Sequence, residues 1–312
     1  MSESEAVDHG EDSEGGMRGF EYLEVKESAG VAASLLEYLH ACPICHCTEM
    51  KHYVRVPSLF NPGETIRYER CADCRTVVRN PRLPPEYRLA RYEEPEMSEE
   101  SKRLKPKSQV HYAYMMKAIE RLAPAGLGRR LFDFGCGAGG FLLEARNAGW
   151  DVSGLELSKD LAKHVIDNYE IPVFQGLIDA PEFAEERFDV VISSQVFEHL
   201  LDPRQTLIDV KAHLNRPGMI LIEVPNRNDF RERLKRGKMM DDSHLFYFTA
   251  KSLSRMLREQ GFRVVKVQEG MRPYRFLTDS ENTPAPKLME AGASLLSLAG
   301  VKTGLSVFAV LD

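Results

Sequence analysis

The sequence predicts an α/β protein in which a mostly parallel sheet, covered by helices on both faces, follows a small cysteine-rich module. Three observations lead to this fold class. From residue 108 onward, short apolar segments typical of strands alternate with amphipathic segments typical of helices. The first of these strands runs into a glycine-rich turn, LFDFGCGAGGF (131–141), that opens a helix. Five of the six cysteines lie between positions 42 and 74.

Composition and charge exclude several classes of protein. The chain has 312 residues and a formal charge of −6, so it is not a general binder of nucleic acid. It contains no apolar stretch of about 18 residues, so no membrane span is expected. The acidic N-terminus lacks the apolar core of a secretory signal. We therefore expect a cytoplasmic protein whose cysteines do not form disulfides.

Four regions differ in composition. We expect a disordered acidic tail at 1–19, a cysteine-rich module at 20–92, a polar linker at 93–107 and the α/β domain at 108–312. Within the module, VAASLLEYLH (31–40) predicts a short amphipathic helix, and HYVRVPSLFNPGETIRYER (52–70) predicts a hairpin.

The α/β domain is expected to alternate strands with helices. Strands are expected at 130–134, 151–156, 172–175, 188–193, 219–224, 262–267 and 305–311, and helices at 108–123, 139–148, 158–168, 203–214 and 249–260. Ser158 and Asp202 are the expected N-caps. Several prolines separate the last two strands, so these two are expected to form an antiparallel pair.

The glycine-rich turn indicates a site for a nucleotide-like ligand. Its glycines let the chain turn tightly and let a ligand lie against bare backbone, and the helix that follows favours a polar or anionic group. The same residues also fit a dinucleotide-binding pattern, and a tight turn without a ligand is the other alternative. Glu156, which ends the next strand, favours adenosine because a carboxylate there can accept both ribose hydroxyls. The alternative for Glu156 is a solvated charge at a strand end.

Several phrases of the chain resemble class I S-adenosylmethionine-dependent methyltransferases, which have a Rossmann-like sheet. They are D-x-G-C-G-x-G with the acidic strand end after it, FDVVISSQVFEHLLDP, LNRPGMILIEVPN and HLFYFTAKSLSRMLREQGF, which together cover about residues 108–268. The resemblance implies the following contacts with the cofactor S-adenosylmethionine: Gly135, Gly137 and Gly139 with its methionine part, Asp133 near its amino group, Glu156 with the ribose, Leu157 with the adenine, and Gln195 beside the methionine part. His199 often lies near the site in similar enzymes, and a structural role is its alternative.

The cysteines form two C-x-x-C pairs, Cys42 with Cys45 and Cys71 with Cys74. Each pair can make a tight knuckle that presents two thiolates, and two such knuckles predict one Zn²⁺ site. Four thiolate ligands leave no open coordination position, so this zinc is expected to stabilise structure and not to do chemistry. His46 and Cys47 adjoin the first knuckle and are the alternative ligands.

The order of the two parts narrows the resemblance further. A four-cysteine module that continues through the phrase C-x-x-C…N-P-R into this domain resembles sugar C-methyltransferases of deoxysugar pathways, and related enzymes of polysaccharide and secondary-metabolite gene clusters. That resemblance implies a nucleotide-linked sugar or a secondary metabolite as acceptor, methylated at carbon or at oxygen.

The acceptor is expected at the carboxyl ends of the strands. The loop 226–238 is basic and suits a small anionic substrate such as a diphosphate, with a solvated surface loop as the alternative. His244 follows this loop and is a candidate general base, or else it only orients a hydrogen bond. Tyr112, with Tyr114 beside it, is expected to close over the cofactor or substrate, or else to belong to the core.

Methyl transfer to a small molecule is therefore the leading hypothesis, and three alternatives stay open. The first is an RNA methyltransferase whose zinc module binds nucleic acid, because residues 42–92 have more Lys and Arg than Asp and Glu. The second is a nicotinamide dehydrogenase, and the third is a binding module without catalysis. Neither the acceptor atom nor the oligomeric state follows from the sequence.

Overall fold

The computed structural model describes residues 36–58, 65–84, 98, 102–104, 106–226, 243–270 and 304–312. The predicted acidic tail and most of the predicted linker and basic loop lie outside these residues. In chain order the described elements are β1 (Met50–Pro57), β2 (Thr65–Cys71), β3 (Val77–Arg79), α1 (Pro106–Leu122), β4 (Arg130–Phe134), α2 (Gly140–Asn147), β5 (Asp151–Glu156), α3 (Lys159–Tyr169), β6 (Val173–Gln175), β7 (Phe188–Ser194), α4 (Pro203–Ala212), β8 (Leu214–Pro225), β9 (Phe246–Tyr247), α5 (Ala250–Glu259), β10 (Arg263–Gly270) and β11 (Gly304–Leu311).

Seven strands form the main sheet, in the order β10-β11-β8-β7-β4-β5-β6. The five strands from β8 to β6 are parallel to one another. Strand β11 runs antiparallel to both β8 and β10, so the predicted antiparallel last pair is confirmed. The expected fold class, a mostly parallel Rossmann-like sheet with an antiparallel last strand, is thus confirmed as well.

The central strands bury both of their faces, which explains why they appear in the sequence as nearly continuous apolar runs. Side chains alternate between two cores at a period of two residues. Leu131 of β4 and Val190 of β7 enter one core. Their neighbours Phe132 and Val191 enter the other core, on the opposite face of the sheet. Both cores depend on this register, and so does the position of every polar residue at the carboxyl ends of the strands.

A second, four-stranded sheet has the order β1-β2-β3-β9. Strands β1 and β2 form the hairpin predicted from the sequence. The fourth strand comes from the α/β domain, because Val77 pairs with Tyr247 and Val78 pairs with Phe246. The cysteine-rich module is therefore completed by residues that lie about 170 positions further along the chain.

The module and the α/β domain also share one apolar core. Cys42 and Ile44 of the module are fully buried in the same cluster as Phe246, Phe248 and Leu253 of the domain. Buried apolar side chains on both sides of a boundary are typical of a permanent contact. The module is thus a fixed part of the domain surface.

Asn80 and Arg82, the first and last residues of the N-P-R phrase, bind the segment that precedes Cys42. The Asn80 amide accepts a hydrogen bond from the main-chain N–H of Leu39 at 2.9 Å and donates one to its carbonyl at 3.0 Å. Arg82 forms an ion pair with Glu37 and donates to the carbonyl of Leu201 in the α/β domain at 2.6 Å. The two side chains thus connect the chain before the first knuckle, the module and the domain.

The helix predicted over 31–40 is wrong for residues 36–40, which are the described part of it. Glu37 instead forms an isolated antiparallel bridge with Arg82. Because the backbone bonds of this segment go to Arg82 and Asn80, tertiary contacts override the amphipathic pattern.

Element boundaries moved by a few residues. Helix α1 begins at Pro106, two positions before the predicted start, and β8 begins at Leu214, five positions early. The expected caps are confirmed, since Ser158 accepts from the N–H of Leu161 and Asp202 accepts from that of Arg204.

Candidate functional site

The glycine-rich turn between β4 and α2 is left-handed at Gly135, Gly137 and Gly139, where φ is 82°, 54° and 77°. A β-carbon on Gly135 would lie 2.4 Å from Cγ2 of Val196, so this position has no room for a side chain. Nothing lies within 4 Å of the corresponding point on Gly137. Of these glycines, Gly137 therefore leaves an open backbone surface on which a ligand can lie.

Glu156 reaches back from the end of β5 to this turn. One carboxylate oxygen accepts the N–H of Gly137 and the other accepts the N–H of Ser158, each at 2.9 Å. A carboxylate has about four acceptor positions, so both oxygens keep lone pairs for ligand hydroxyls. Leu157, the next residue, is half-buried at the same edge. Glu156 thus fits the ribose contact expected for an adenosine group, and the open surface of Gly137 leaves room beside it for the methionine part.

Asp133 lies beneath the turn and is only 4% exposed. Burial, followed by the nearby Glu156 carboxylate, raises the pKa of Asp133 to about 8. A carboxyl group in such surroundings stays protonated at neutral pH unless a cation compensates its charge. The surroundings of Asp133 thus suit a ligand that carries a positive group.

Gln195 follows β7 and has a left-handed backbone, with φ of 62°. Its main-chain N–H donates to the carbonyl of Glu223 at 2.8 Å, and its side-chain amide donates to the same oxygen at 3.3 Å. Left-handed conformations are uncommon for residues other than glycine. The turn that Gln195 starts brings Val196 against Gly135, so the ends of β4, β7 and β8 meet at one place.

Sequence reasoning missed a buried polar cluster at this edge. His111 of α1 lies with Nε2 2.9 and 3.0 Å from the two carboxylate oxygens of Glu223, which is 1% exposed. Ser194 and Ser306 donate to the same carboxylate at 3.3 and 3.1 Å. A glutamate inside the apolar strand LIEVP was the signal that could have pointed to this cluster. It fastens α1 to the carboxyl ends of β7 and β8 and to the amino end of β11.

Tyr112 of α1 packs against the start of α2. The centroids of the Tyr112 and Phe141 rings are 5.9 Å apart in an edge-to-face arrangement. A β-carbon on Gly140 would lie 2.7 Å from Cε2 of Tyr112. Tyr114 instead accepts a hydrogen bond from Gln268 at 2.6 Å. Tyr112 thus borders the glycine-rich turn, and its closing over a ligand stays a prediction.

His199 and His244 come together although 44 residues separate them. Their rings are 4.7 Å apart in an edge-to-face arrangement. His199 Nδ1 lies 3.0 Å from the carbonyl oxygen of Ser243, and the hydroxyl of Tyr68 donates to the carbonyl of His244 at 2.8 Å. His199 lies shortly after the carboxyl end of β7, and its main-chain N–H donates to the carbonyl of Val196 at 2.8 Å. The role of either histidine at the site stays a prediction.

The four predicted zinc ligands converge. Cys42 Sγ is 3.6 Å from Cys74 Sγ, and Cys45 Sγ is 3.5 Å from Cys71 Sγ. All four sulfur atoms are buried and lie within 4.8 Å of one another. A tetrahedral zinc with Zn–S bonds of about 2.3 Å would separate its sulfur atoms by about 3.8 Å, close to these distances.

The two knuckles have the same backbone feature and a usable thiolate. The residue after each pair, His46 or Arg75, is left-handed, with φ of 59° and 67°. His46 and Cys47 lie outside the cluster of ligand atoms. The hydrogen bond between the Cys42 and Cys74 thiols lowers the pKa of Cys74 and raises that of Cys42, so Cys74 ionises first. Thiolate sulfur is the form that binds metal, and the convergence of four sulfur atoms makes this donor set fit zinc.

The helices over the described part of the chain are all too short or too polar to cross a bilayer.

Comparison with known proteins gave a family match and several similar proteins. The family model described as "Methyltransferase domain" matches residues 107–267. A protein of Methanocaldococcus jannaschii named as uncharacterised is 26% identical over 167 residues, which is 52% of this chain and 77% of that protein. The ubiquinone biosynthesis O-methyltransferase of Bordetella avium is 32% identical over 118 residues, 35% of this chain and 48% of that enzyme. The match thus spans about half the length of that relative.

Among solved structures, a SAM-dependent methyltransferase from Archaeoglobus fulgidus is similar, with a TM-score of 0.45 and 23% identity. The superposed region covers 64% of this chain and 94% of the Archaeoglobus fulgidus chain.

Proposed function

This chain belongs to the methyltransferase domain family, whose model matches half of it, and its enzyme class is S-adenosylmethionine-dependent methyl transfer. From this premise we propose that it methylates a small, anionic acceptor at carbon or oxygen, such as a nucleotide-linked sugar or a secondary metabolite. The observation that carries the proposal is the meeting of the glycine-rich turn, Glu156 and the His199–His244 pair at one edge of the sheet.

The methyl donor is held at the ends of β4, β5 and β7. Glu156 accepts from the ribose hydroxyls, Leu157 packs against the adenine, and Gln195 lies beside the methionine part. Asp133 faces the amino group, and its raised pKa supports this role because the amino group supplies the missing positive charge. S-adenosylmethionine supplies a methyl group on a sulfonium, which is already a good leaving group.

The acceptor lies next to His199 and His244. Transfer to a hydroxyl or to a carbon beside a ketone requires removal of a proton, and two half-buried imidazoles at the sheet edge can serve this step. Tyr112 borders the donor site and closes over it. The remaining work of the protein is alignment of the acceptor with the methyl carbon, which accounts for a large part of such rate enhancements.

The burial and the ion pairs of arginines in the cysteine-rich module favour a small-molecule acceptor over RNA. Arg79 and Arg82 are buried, and Arg82 forms an ion pair with Glu37. Arg67 forms an ion pair with Glu69. Three of the basic residues that suggested a nucleic-acid surface are therefore engaged within the protein.

The four cysteines hold one structural zinc ion. The sulfur–sulfur distances and the pKa of Cys74 support this assignment. None of the six cysteines forms a disulfide, which fits action in the reducing cytoplasm. Metal analysis of the purified chain should find about one zinc per chain, and Cys71→Ser should lower that content.

Calorimetry tests the donor site. Wild type should bind S-adenosylmethionine, and Glu156→Gln should bind it about 10- to 100-fold more weakly. This loss of affinity corresponds to the energy of hydrogen bonds to a charged acceptor. Asp151→Asn is the matched control, because Asp151 is an exposed carboxylate at the other end of the same strand. Tight binding of NAD without binding of S-adenosylmethionine would refute the proposal.

A transfer assay tests the acceptor. Methyl-labelled S-adenosylmethionine is offered with nucleotide-linked sugars in one reaction and with RNA in another. Label in the sugar fraction that is lost in His244→Ala supports the proposal. Label that enters only RNA, together with salt-dependent RNA retention, would establish the nucleic-acid alternative.

A further inference from the structure

Glu198, His199 and His244 form a second cluster of possible metal ligands, separate from the four cysteines. We infer that these three side chains bind a divalent transition-metal ion at the acceptor side of the site. The inference deepens the proposed function and rests on it for the role of the ion, although ion binding is measured on its own.

The three ligand atoms already lie close together. One atom from each side chain is within 4.8 Å of the other two. Two ligands on opposite sides of a zinc-sized ion are about 4.2 Å apart, so a small rotation of the side chains brings all three into bonding range. Glu198 is buried and both histidines are half-buried, so solvent still reaches part of the cluster.

The backbone holds the ligand-bearing segments in place. The main-chain N–H groups of Leu245 and Phe246 both donate to the carbonyl of Glu198, at 2.8 and 3.1 Å. The Tyr68 hydroxyl donates to the carbonyl of His244, which ties the second segment to the zinc module. Preorganised ligands of this kind lose little entropy when an ion binds.

The orientation of His199 is that of a metal ligand. A histidine that binds metal through one ring nitrogen commonly donates the other ring N–H to a carbonyl or carboxylate. His199 Nδ1 lies 3.0 Å from the carbonyl oxygen of Ser243. This bond places the proton on Nδ1 and leaves Nε2 as the nitrogen with a lone pair.

The donor set selects the class of ion. Two imidazoles with one carboxylate suit Mn²⁺, Fe²⁺, Co²⁺ or Zn²⁺, whereas Mg²⁺ and Ca²⁺ prefer oxygen ligands only. Three protein ligands leave coordination positions open, unlike the four thiolates of the module. The open positions can accept an oxygen of the methyl acceptor.

The position of the cluster gives the ion a role. The turn that leads to Glu198 contacts the glycine-rich turn, because Val196 closes against Gly135. An acceptor hydroxyl or enolate bound to the ion would thus lie beside the donor site, and a bound cation lowers the pKa of such an oxygen. On this inference the histidines assist proton removal by holding the ion.

Binding of Mn²⁺ to the full chain that carries only one zinc ion per chain, the content expected of the four cysteines alone, tests the inference and is followed by electron paramagnetic resonance. Mn²⁺ prefers oxygen and nitrogen over thiolate ligands, so it distinguishes this site from the four cysteines. Wild type should bind one ion per chain, and His199→Ala and His244→Ala should each weaken binding more than about tenfold. His52→Ala, at an exposed position of β1, is the control and should bind like wild type.

The outcomes are separable. Absence of Mn²⁺ binding, or binding that both histidine variants retain, would overturn the inference, provided that the variants still bind S-adenosylmethionine and are therefore folded. Methyl transfer that proceeds equally well without added Mn²⁺, Fe²⁺, Co²⁺ or Zn²⁺, yet fails in His244→Ala, would also overturn it and leave direct proton acceptance. Histidine-dependent Mn²⁺ binding in a chain that transfers no methyl group would support the ion site and count against the proposed function alone.

Discussion

Asp133 should make donor binding depend on pH. Its pKa is about 8 because the carboxyl group is buried and lies near Glu156. If the amino group of S-adenosylmethionine needs the ionised form, the proton must leave before the ligand binds. At pH 7 about nine tenths of the free protein holds this proton, so binding should release about 0.9 protons.

The size of the effect follows from the same pKa. Because only the ionised fraction of Asp133 binds, protonation of Asp133 reduces the affinity for S-adenosylmethionine by a factor of about 100 at pH 6 and about 11 at pH 7. The affinity should therefore rise about ninefold from pH 6 to pH 7. Asp133→Asn cannot ionise, and its weaker affinity should stay flat. S-adenosylmethionine also titrates, but this affects wild type and Asp133→Asn equally. The ratio of their affinities therefore reports only the titration of Asp133.

Calorimetry in two buffers of different ionisation enthalpy measures both the affinity and the proton release. Equal slopes for wild type and Asp133→Asn between pH 6 and pH 7 would refute this account of the donor site. So would the absence of proton release at pH 7.

Stability gives a second measurement with a defined sign. The pKa of Asp133 is raised from about 4 in the unfolded chain to about 8 in the folded protein, so the folded state binds the additional proton between these values. The stabilisation is fully present below about pH 4 and is lost as the pH rises toward 8. Denaturant unfolding of wild type should therefore show a decline over this window that Asp133→Asn lacks.

Outcomes are expected for four further variants. Gly135→Ala should cost more than about 2 kcal/mol of unfolding free energy, because its β-carbon would meet Val196 in a left-handed backbone. Gly137→Ala should cost only about 1 kcal/mol but weaken S-adenosylmethionine binding, and equal stability losses in both variants would contradict this difference. Glu223→Ala should lower stability by about 3 kcal/mol in urea unfolding, since it leaves buried partners of the carboxylate unsatisfied; a loss below 1 kcal/mol would mean that the cluster is not structural. Thr249→Ala should cost about 1 kcal/mol, because this residue caps α5 and also bonds the Cys74 carbonyl, and an unchanged thermal midpoint would argue against the cap.

Local signals in the sequence were sufficient for much of the fold. Strands with both faces buried are apolar throughout, and caps such as Ser158 and Asp202 depend on atoms only a few residues away. The two cysteine pairs were readable for the same reason, since a knuckle is a local turn. The segment 36–40 failed because its hydrogen-bond partners, Asn80 and Arg82, lie about 40 residues away.

Contacts between distant segments were not readable from local pattern. Nothing near Phe246 or Tyr247 indicates that these residues complete the sheet of the cysteine module. The pairing of His111 with Glu223 joins a helix to a strand more than 100 positions away. Such contacts depend on how elements pack, which a one-dimensional pattern does not contain.

By itself the sequence determined the fold class, the glycine-rich turn with its carboxylate at Glu156, and the four cysteines, because each is specified by residue type and short spacing. Only the tertiary structure decided which of these features meet. It placed Gly137 in an open position while Val196 fills the space at Gly135, and it brought His199 and His244 together beside Glu198. The physical reason is that parallel strands end at a common edge, so residues far apart in the chain become neighbours there.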